Sequence, residues 1–208
     1  MLFKKLYLLG FMLSFLCLGY GEAQAQSDAK KVLDEGLTEI LNVLKSPIYN
    51  NPATREQGRA QIASIVKRRF DFLEFSARTV GPRWQQFTSA QQQAFSEAFG
   101  DLLINTYVKK IDGYNGEKIA YTGERSGNAR TEILTVVTLK DGKKVPVAYR
   151  MLPKDQTWKV YDVLIENISL VKNYRSQFQS LLTQANPDEL IARVRAKAVE
   201  IRDNHAKP

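Results

Sequence analysis

The sequence predicts an α+β protein from two changes of pattern. Apolar residues recur at three- and four-residue spacing as far as Tyr107 and again after Ser169, and between these blocks the period drops to two. Turn residues cut the middle block into four segments, which predicts a twisted antiparallel four-stranded sheet packed with amphipathic helices. With 208 residues and 44% hydrophobic content, the chain is long enough for one well-filled domain, and it shows no repeat or low-complexity tract.

The elements follow in order. Met1–Ala25 opens with Lys4 and Lys5, continues through an apolar run from Leu6 to Leu18 and ends on Ala23-Gln24-Ala25, the pattern of a cleaved export signal. The expected mature protein is therefore a single domain over residues 26–208, located in the periplasm. Asp28 to Lys45 carries Val32, Leu33, Leu37, Ile40, Leu41 and Leu44 at helical spacing, and Ser46-Pro47 breaks it. Thr54 is placed to cap a second helix bearing Ile62, Ile65, Val66, Phe70 and Leu73, which runs to Gly81-Pro82. Thr88 or Ser89 starts a third, with Phe95, Phe99, Leu102, Leu103, Thr106 and Tyr107 on one stripe.

Strands are expected around Ile119 and Tyr121, over Ile133–Leu139, Val145–Leu152 and Trp158–Ile165. Asp141-Gly142 and Pro153–Thr157 suit tight hairpins, and Ser126-Gly127-Asn128 suits a longer turn. Strand two is apolar on both faces, so something must cover each side or fill a cavity against it, and the helices are the obvious cover. Two last helices, Ser169–Gln184 and Pro187–Asp203, precede a polar tail.

The inventory excludes much chemistry. Cys17 lies in the leader and His205 in the tail, which leaves no Cys/His nucleophile, no Ser-His-Asp triad and no ordinary zinc site. Asp162 and Glu166 share a strand face, but four residues separate their backbones by roughly 13 Å, too far for a glycosidase pair. Arg150 is placed instead to pair with Asp162 across the hairpin. The formal charge of +8 falls to +7 once Lys4, Lys5 and Glu22 leave with the leader, and a basic exported protein points to anionic lipid or acidic protein faces rather than nucleic acid.

The run Trp158 to Phe178, with Tyr161-Asp162, Glu166, Ser169-Leu170-Val171, Asn173-Tyr174-Arg175 and Gln177-Phe178, closely resembles the signature of the MlaC-type, or toluene-tolerance, periplasmic phospholipid-binding proteins. Phe70-Asp71-Phe72, Gly81, Trp84, Phe95, Phe99, Leu102 and Tyr107 extend the resemblance over about Asp28 to Asp203. Asn167-Ile168 departs from it, since the family commonly places Gly before an aliphatic residue there. Asn tolerates a positive φ next best after Gly, so the fold is not affected.

The resemblance implies a nuclear-transport-factor-like fold around an apolar lipid pocket, with no catalytic residue, no metal and no cofactor beyond bound phospholipid as cargo. It implies a monomeric carrier that shuttles glycerophospholipid between an outer-membrane lipoprotein–porin complex and an inner-membrane ABC transporter complex with its periplasmic substrate-binding subunit, in the Mla pathway of outer-membrane lipid asymmetry. If the odd-numbered sheet face lines the pocket, Val137, Val147, Tyr149, Met151, Val163 and Ile165 are its candidates, opposed by Phe70, Leu73, Phe99, Leu103, Tyr107 and Tyr174. Lys67, Arg68, Arg69, Lys109, Lys110, Arg193, Arg195 and Lys197 are candidates for steering or phosphate contact. Rival readings are an isomerase or dehydratase with Asp162 or Tyr161 in its cavity, and an envelope chaperone with an apolar groove.

Overall fold

A computed structural model describes residues 20–206 apart from 109, 110, 113, 115 and 184. The expected leader lies outside the described residues as far as Gly19, and so does Cys17. From Tyr20 the backbone belongs to α1, Tyr20–Lys45, which starts earlier than its apolar stripe. Helix α1 ends at Lys45, as the Ser46-Pro47 break predicts, and Pro47 then opens a single turn, α2 (Pro47–Asn50), because its fixed φ suits a first helical position. Ser46 caps that turn by accepting from the Tyr49 amide at 3.3 Å.

The one helix expected from Thr54 to Gly81 is two, α3 (Arg55–Arg69) and α4 (Phe72–Val80). Phe70 is extended and bridges Val160, and the Asp71 amide donates to the Val160 carbonyl at 2.9 Å. The Asp71 carboxylate then accepts from the Glu74 amide at 3.0 Å and restarts the helix. Gly81, at φ 73°, stops α4, and a 3₁₀ turn (Gly81–Gln86) leads to α5 (Ser89–Val108). Thr88 and Gln91 exchange side-chain-to-amide bonds at its start, a capping box.

The strands are β1 (Lys118–Gly127), β2 (Arg130–Thr138), β3 (Lys144–Lys154), β4 (Thr157–Ile165) and β5 (Ile168–Ser169), paired antiparallel in sequence order. The sheet therefore has five strands rather than four. Glu166 and Asn167, at φ 50° and 66°, turn the chain back so that Ser169 pairs with Leu164. Asn occupies the positive-φ position that the departure from Gly left in question. The first hairpin turns on Asn128-Ala129 alone, at φ 52° and 55°, and the strands run through Ser126 and Gly127 instead of looping there. Helices α6 (Leu170–Leu182) and α7 (Pro187–Ala206) complete the chain, the last staying helical beyond the expected end at Asp203.

The main core holds Phe75, Phe95, Phe99 and Phe178 among α4, α5 and α6, with ring centroids 5.0–5.6 Å apart along the contacts of Phe99. Helices bury the odd-numbered sheet face at Ile133, Thr135, Met151 and Val163. Contrary to the expectation of cover on both sides, Leu134, Val136, Ala148 and Leu164 on the even face remain half-buried.

Gly81 is tied to this packing, since a Cβ there would stand 2.9 Å from the Arg175 guanidinium in addition to its positive φ. Gly81→Ala should destabilise by about 1–3 kcal/mol in thermal or denaturant unfolding. An unchanged transition would show that the turn relaxes freely.

Candidate functional site

An apolar cavity of about 470 Å³ lies between the helices and the odd face of the sheet. One wall is the whole apolar stripe of α1, from Val32 through Leu44. Its seven-residue repeat of three- and four-residue steps keeps those side chains on one face of the helix. The opposite wall is sheet, with Val137, Val147, Tyr149, Met151, Val163 and Ile165, and the sides come from α3, the start of α4 and the last turns of α5.

A bulge shapes the sheet wall. Arg150 pairs with Asp162 but Met151 pairs with Val160, so Tyr161 is an extra residue in β4. Val160 and Val163 consequently both line the cavity, and Tyr161 and Asp162 do not. Asp162 is instead bound by Arg150 at 3.2 Å, by the Ser169 hydroxyl at 2.7 Å and by the Val171 amide at 3.1 Å. The expected Arg150–Asp162 pair thus exists, and it anchors the start of α6 to the sheet. Tyr161 lies under the Arg78 guanidinium, 4.3 Å from the ring centroid.

The lining is unevenly buried: Phe75, Met151, Val160 and Leu170 are buried, whereas Ile111, Tyr114, Glu117, Ile119 and Leu139 are half-buried. Few polar groups reach the lining. Burial pushes the Tyr149 hydroxyl up to about 12, against the opposing effect of the Thr135 hydroxyl, and burial also raises Tyr107. Both stay neutral at any physiological pH. Among the described residues no group of His, Cys, Asp and Glu is placed to hold a metal ion.

Nine of the twelve candidate residues line the cavity: Phe70, Leu103, Tyr107, Val137, Val147, Tyr149, Met151, Val163 and Ile165. Three do not. Phe99 is fully buried between α4 and α6, Tyr174 packs on it with centroids 5.1 Å apart, and Leu73 is 41% exposed on the outer side of α4. The apolar stripe of α5 is wider than the cavity, so Leu103 and Tyr107 face the space while Phe95 and Phe99 face α6. Leu73 is displaced by the break at Phe70–Asp71, which resets the helical phase after α3.

The basic candidates do not gather at one place. Lys67 pairs with Asp101 at 2.8 Å, Arg68 with Glu39 at 2.7 Å and Lys197 with Glu200 at 2.7 Å. Arg69 lines the cavity but is held by Glu39 and Glu35, Arg193 and Arg195 are exposed on α7, and Lys109 and Lys110 lie outside the described residues. Hydrogen bonds from Arg69 hold the Glu39 carboxyl below the usual range.

One cluster beside the end of α5 carries no local sequence signal. Asp112, just beyond α5, accepts from the Tyr49 hydroxyl at 2.5 Å and from Arg59 through both of its carboxylate oxygens. It thereby ties α2 and α3 to the segment that follows α5. Burial alone would raise the Asp112 carboxyl, but the bonds from Arg59 and Tyr49 outweigh it and hold it low.

Fold and site together define an α+β protein with an apolar cavity between its helices and its sheet. The chain belongs to the MlaC protein family, whose model matches residues 34–196. It is 24% identical over 173 residues to the intermembrane phospholipid transport system binding protein MlaC of Haemophilus influenzae, covering 78% of this chain and 80% of that one. It is 29% identical over 104 residues to the toluene tolerance protein ttg2D of Pseudomonas putida, covering 50% of this chain and 48% of that one. Among solved structures, a phospholipid-binding protein from Ralstonia solanacearum in complex with a phospholipid superposes with a TM-score of 0.74 at 24% identity, over 84% of this chain and 98% of that one. At that identity the likeness concerns the fold.

Two outcomes test this division of the site. Phe99→Ala should cost about 3–5 kcal/mol of stability, as deletion of a core ring does, and Leu73→Ala less than about 0.5 kcal/mol. A depressed carboxyl contributes stability above its unfolded value near pH 4, lost as pH falls through the folded value. Asp112→Asn should therefore be less stable than the parent at neutral pH, and the gap should narrow in acid. A gap independent of pH would remove the charged bonds of Asp112 as its cause.

Proposed function

We infer that the protein is a soluble periplasmic carrier that holds the acyl chains of a glycerophospholipid in this cavity and moves the lipid between the outer and inner membranes. The observation that carries the reading is the cavity: about 470 Å³, walled almost entirely by apolar side chains. Its volume lies within the 300–1,000 Å³ span of small-molecule pockets. The family, the lipid-transport name of the Haemophilus relative and the phospholipid held by the Ralstonia protein support it. In this reading Met1–Ala25 is removed on export and residues 26–208 work as one monomeric domain. No helix among the described residues is long and apolar enough to cross a membrane.

The physics of such cargo constrains the mechanism. Two acyl chains with about 28 methylenes, at ~0.8 kcal/mol each, represent on the order of 20 kcal/mol of transfer from water. Escape into solvent is correspondingly slow, so loading and delivery require contact with a donor or acceptor onto which the chains slide. An outer-membrane lipoprotein–porin complex and an inner-membrane ABC transporter complex fit those roles. Direction comes from their relative affinities or from ATP used there. No catalytic residue is assigned to the carrier. Asp162 and Tyr161, on which an enzyme reading would depend, lie outside the cavity lining.

Detergent-free protein examined by native mass spectrometry and solvent extraction should carry phospholipid. Val147→Trp, which fills part of the cavity from the sheet side, should lower that occupancy severalfold while the unfolding transition remains cooperative. Protein that is lipid-free, and that also takes up no phospholipid from vesicles, would falsify the carrier reading.

A further inference from the structure

Among the described residues that line the cavity, Arg69 is the only cation and Glu117 the only carboxylate. The Arg69 side chain reaches from the lining to the surface. Gly36 of α1 makes room for it: a Cβ there would stand 3.2 Å from Arg69 Cγ, so the arginine stem crosses the helix where a side chain is missing. Beyond that crossing the guanidinium donates to Glu39 and, at 3.5 Å, to Glu35, which lie one helical turn apart on α1. Arg68 donates to the second Glu39 oxygen at 2.7 Å. The Arg69–Glu35 and Arg68–Glu39 bonds are exposed, so at this seam between α1 and α3 the lining passes into solvent-facing charged groups.

A glycerophospholipid whose chains fill an apolar cavity has to bring its phosphate out beside polar groups, because a buried charge without partners is costly. Arg69 is the lining group that can receive it. A guanidinium has five donors and the two glutamates engage two of them, which leaves three for phosphate oxygens. The carboxylates beside it then discriminate between head groups. Glu35 accepts one of these bonds and Glu39 two, so each keeps acceptor positions for a further donor. A primary ammonium a few bonds from the phosphate can fill them. A glycerol head group brings no positive charge to the glutamates, and its phosphate is repelled by them, while a quaternary ammonium has no N–H to donate.

We propose that Arg69, Glu35 and Glu39 form the head-group subsite of the cavity, with Arg69 binding the lipid phosphate and the two glutamates its ammonium, and that they select a glycerophospholipid bearing a primary amine over anionic ones. The subsite deepens the carrier reading and rests on it, but its test separates the two. Contacts at this degree of exposure are each worth about fivefold or less in affinity, so the selection is a severalfold bias.

The experiment incubates the purified protein with vesicles holding equal amounts of phosphatidylethanolamine, phosphatidylcholine and phosphatidylglycerol, and identifies the bound lipid by native mass spectrometry. Bound phosphatidylethanolamine should exceed each of the others severalfold. Glu35→Gln with Glu39→Gln should remove that excess and raise the phosphatidylglycerol share, with total occupancy and cooperative unfolding retained. Glu35→Gln alone, which leaves the Arg69–Glu39 bond in place, should move the ratio in the same direction. Arg69→Gln should lower uptake of all three lipids severalfold, and Arg193→Gln with Arg195→Gln, at exposed positions on α7, should change neither ratio nor uptake. Bound lipid that mirrors the vesicles in the parent, a ratio unmoved by the glutamate variants, or uptake unmoved by Arg69→Gln each overturns the subsite and leaves the carrier reading standing. Absence of any lipid uptake by the parent overturns the carrier reading, and the subsite with it.

Discussion

A space of about 470 Å³ inside a protein core is the constraint on which the rest of the structure depends. Closed apolar voids cost about 24 cal/mol for each Å³, and neighbouring side chains relax to fill them. Here the walls are held apart from outside by polar ties. Asp162 fixes α6 to β3 and β4, Asp71 fixes α4 to β4 and to Lys154 at 2.7 Å, and Asp112 fixes α2 and α3 to the segment after α5. The α1 wall is held along both flanks, by Tyr121 on Asp34 at 2.8 Å and by Arg68 and Arg69 on Glu39. The ties of Asp162, Asp71 and Asp112 are partly or fully buried, whereas those of Tyr121 to Asp34 and of Arg68 to Glu39 are exposed.

The sheet contributes its side of the space through an irregularity. An unbroken β4 would send alternate residues to the cavity from Val163 downward, and Tyr161 would join that set. The bulge turns Tyr161 away from the cavity and brings Val160 in, while Asp162 already faces away by simple alternation from Val163. One extra residue thus keeps a phenol out of the lining. Asp162 is structural through its bonds to Arg150, Ser169 and Val171.

Core and cavity are made from the same kinds of side chain, and they differ in what faces them. Phe95, Phe99 and Phe178 meet one another ring to ring, whereas Leu103 and Tyr107, on the same helix as Phe95 and Phe99, meet empty space bounded by α1 and the sheet. A carrier built this way can lose cargo without losing its core, because stability and binding are assigned to different arcs of α5.

The sequence by itself determined the order of elements, because apolar spacing reports the face each segment must bury. It also determined the family, through the run from Trp158 to Phe178, and the cavity side of β3 and β4, through odd-numbered alternation. Tertiary structure alone decided that Phe70–Asp71 divides a helix, since the cause is a backbone bond to Val160, ninety positions on. It decided that Phe99 is core and Leu37 is wall, because periodicity states that a residue turns inward and not what it meets there. And it decided the tie of Asp112 to Tyr49 and Arg59, which no local pattern encodes, because a hydrogen bond between distant segments exists only once the chain has folded to bring them together.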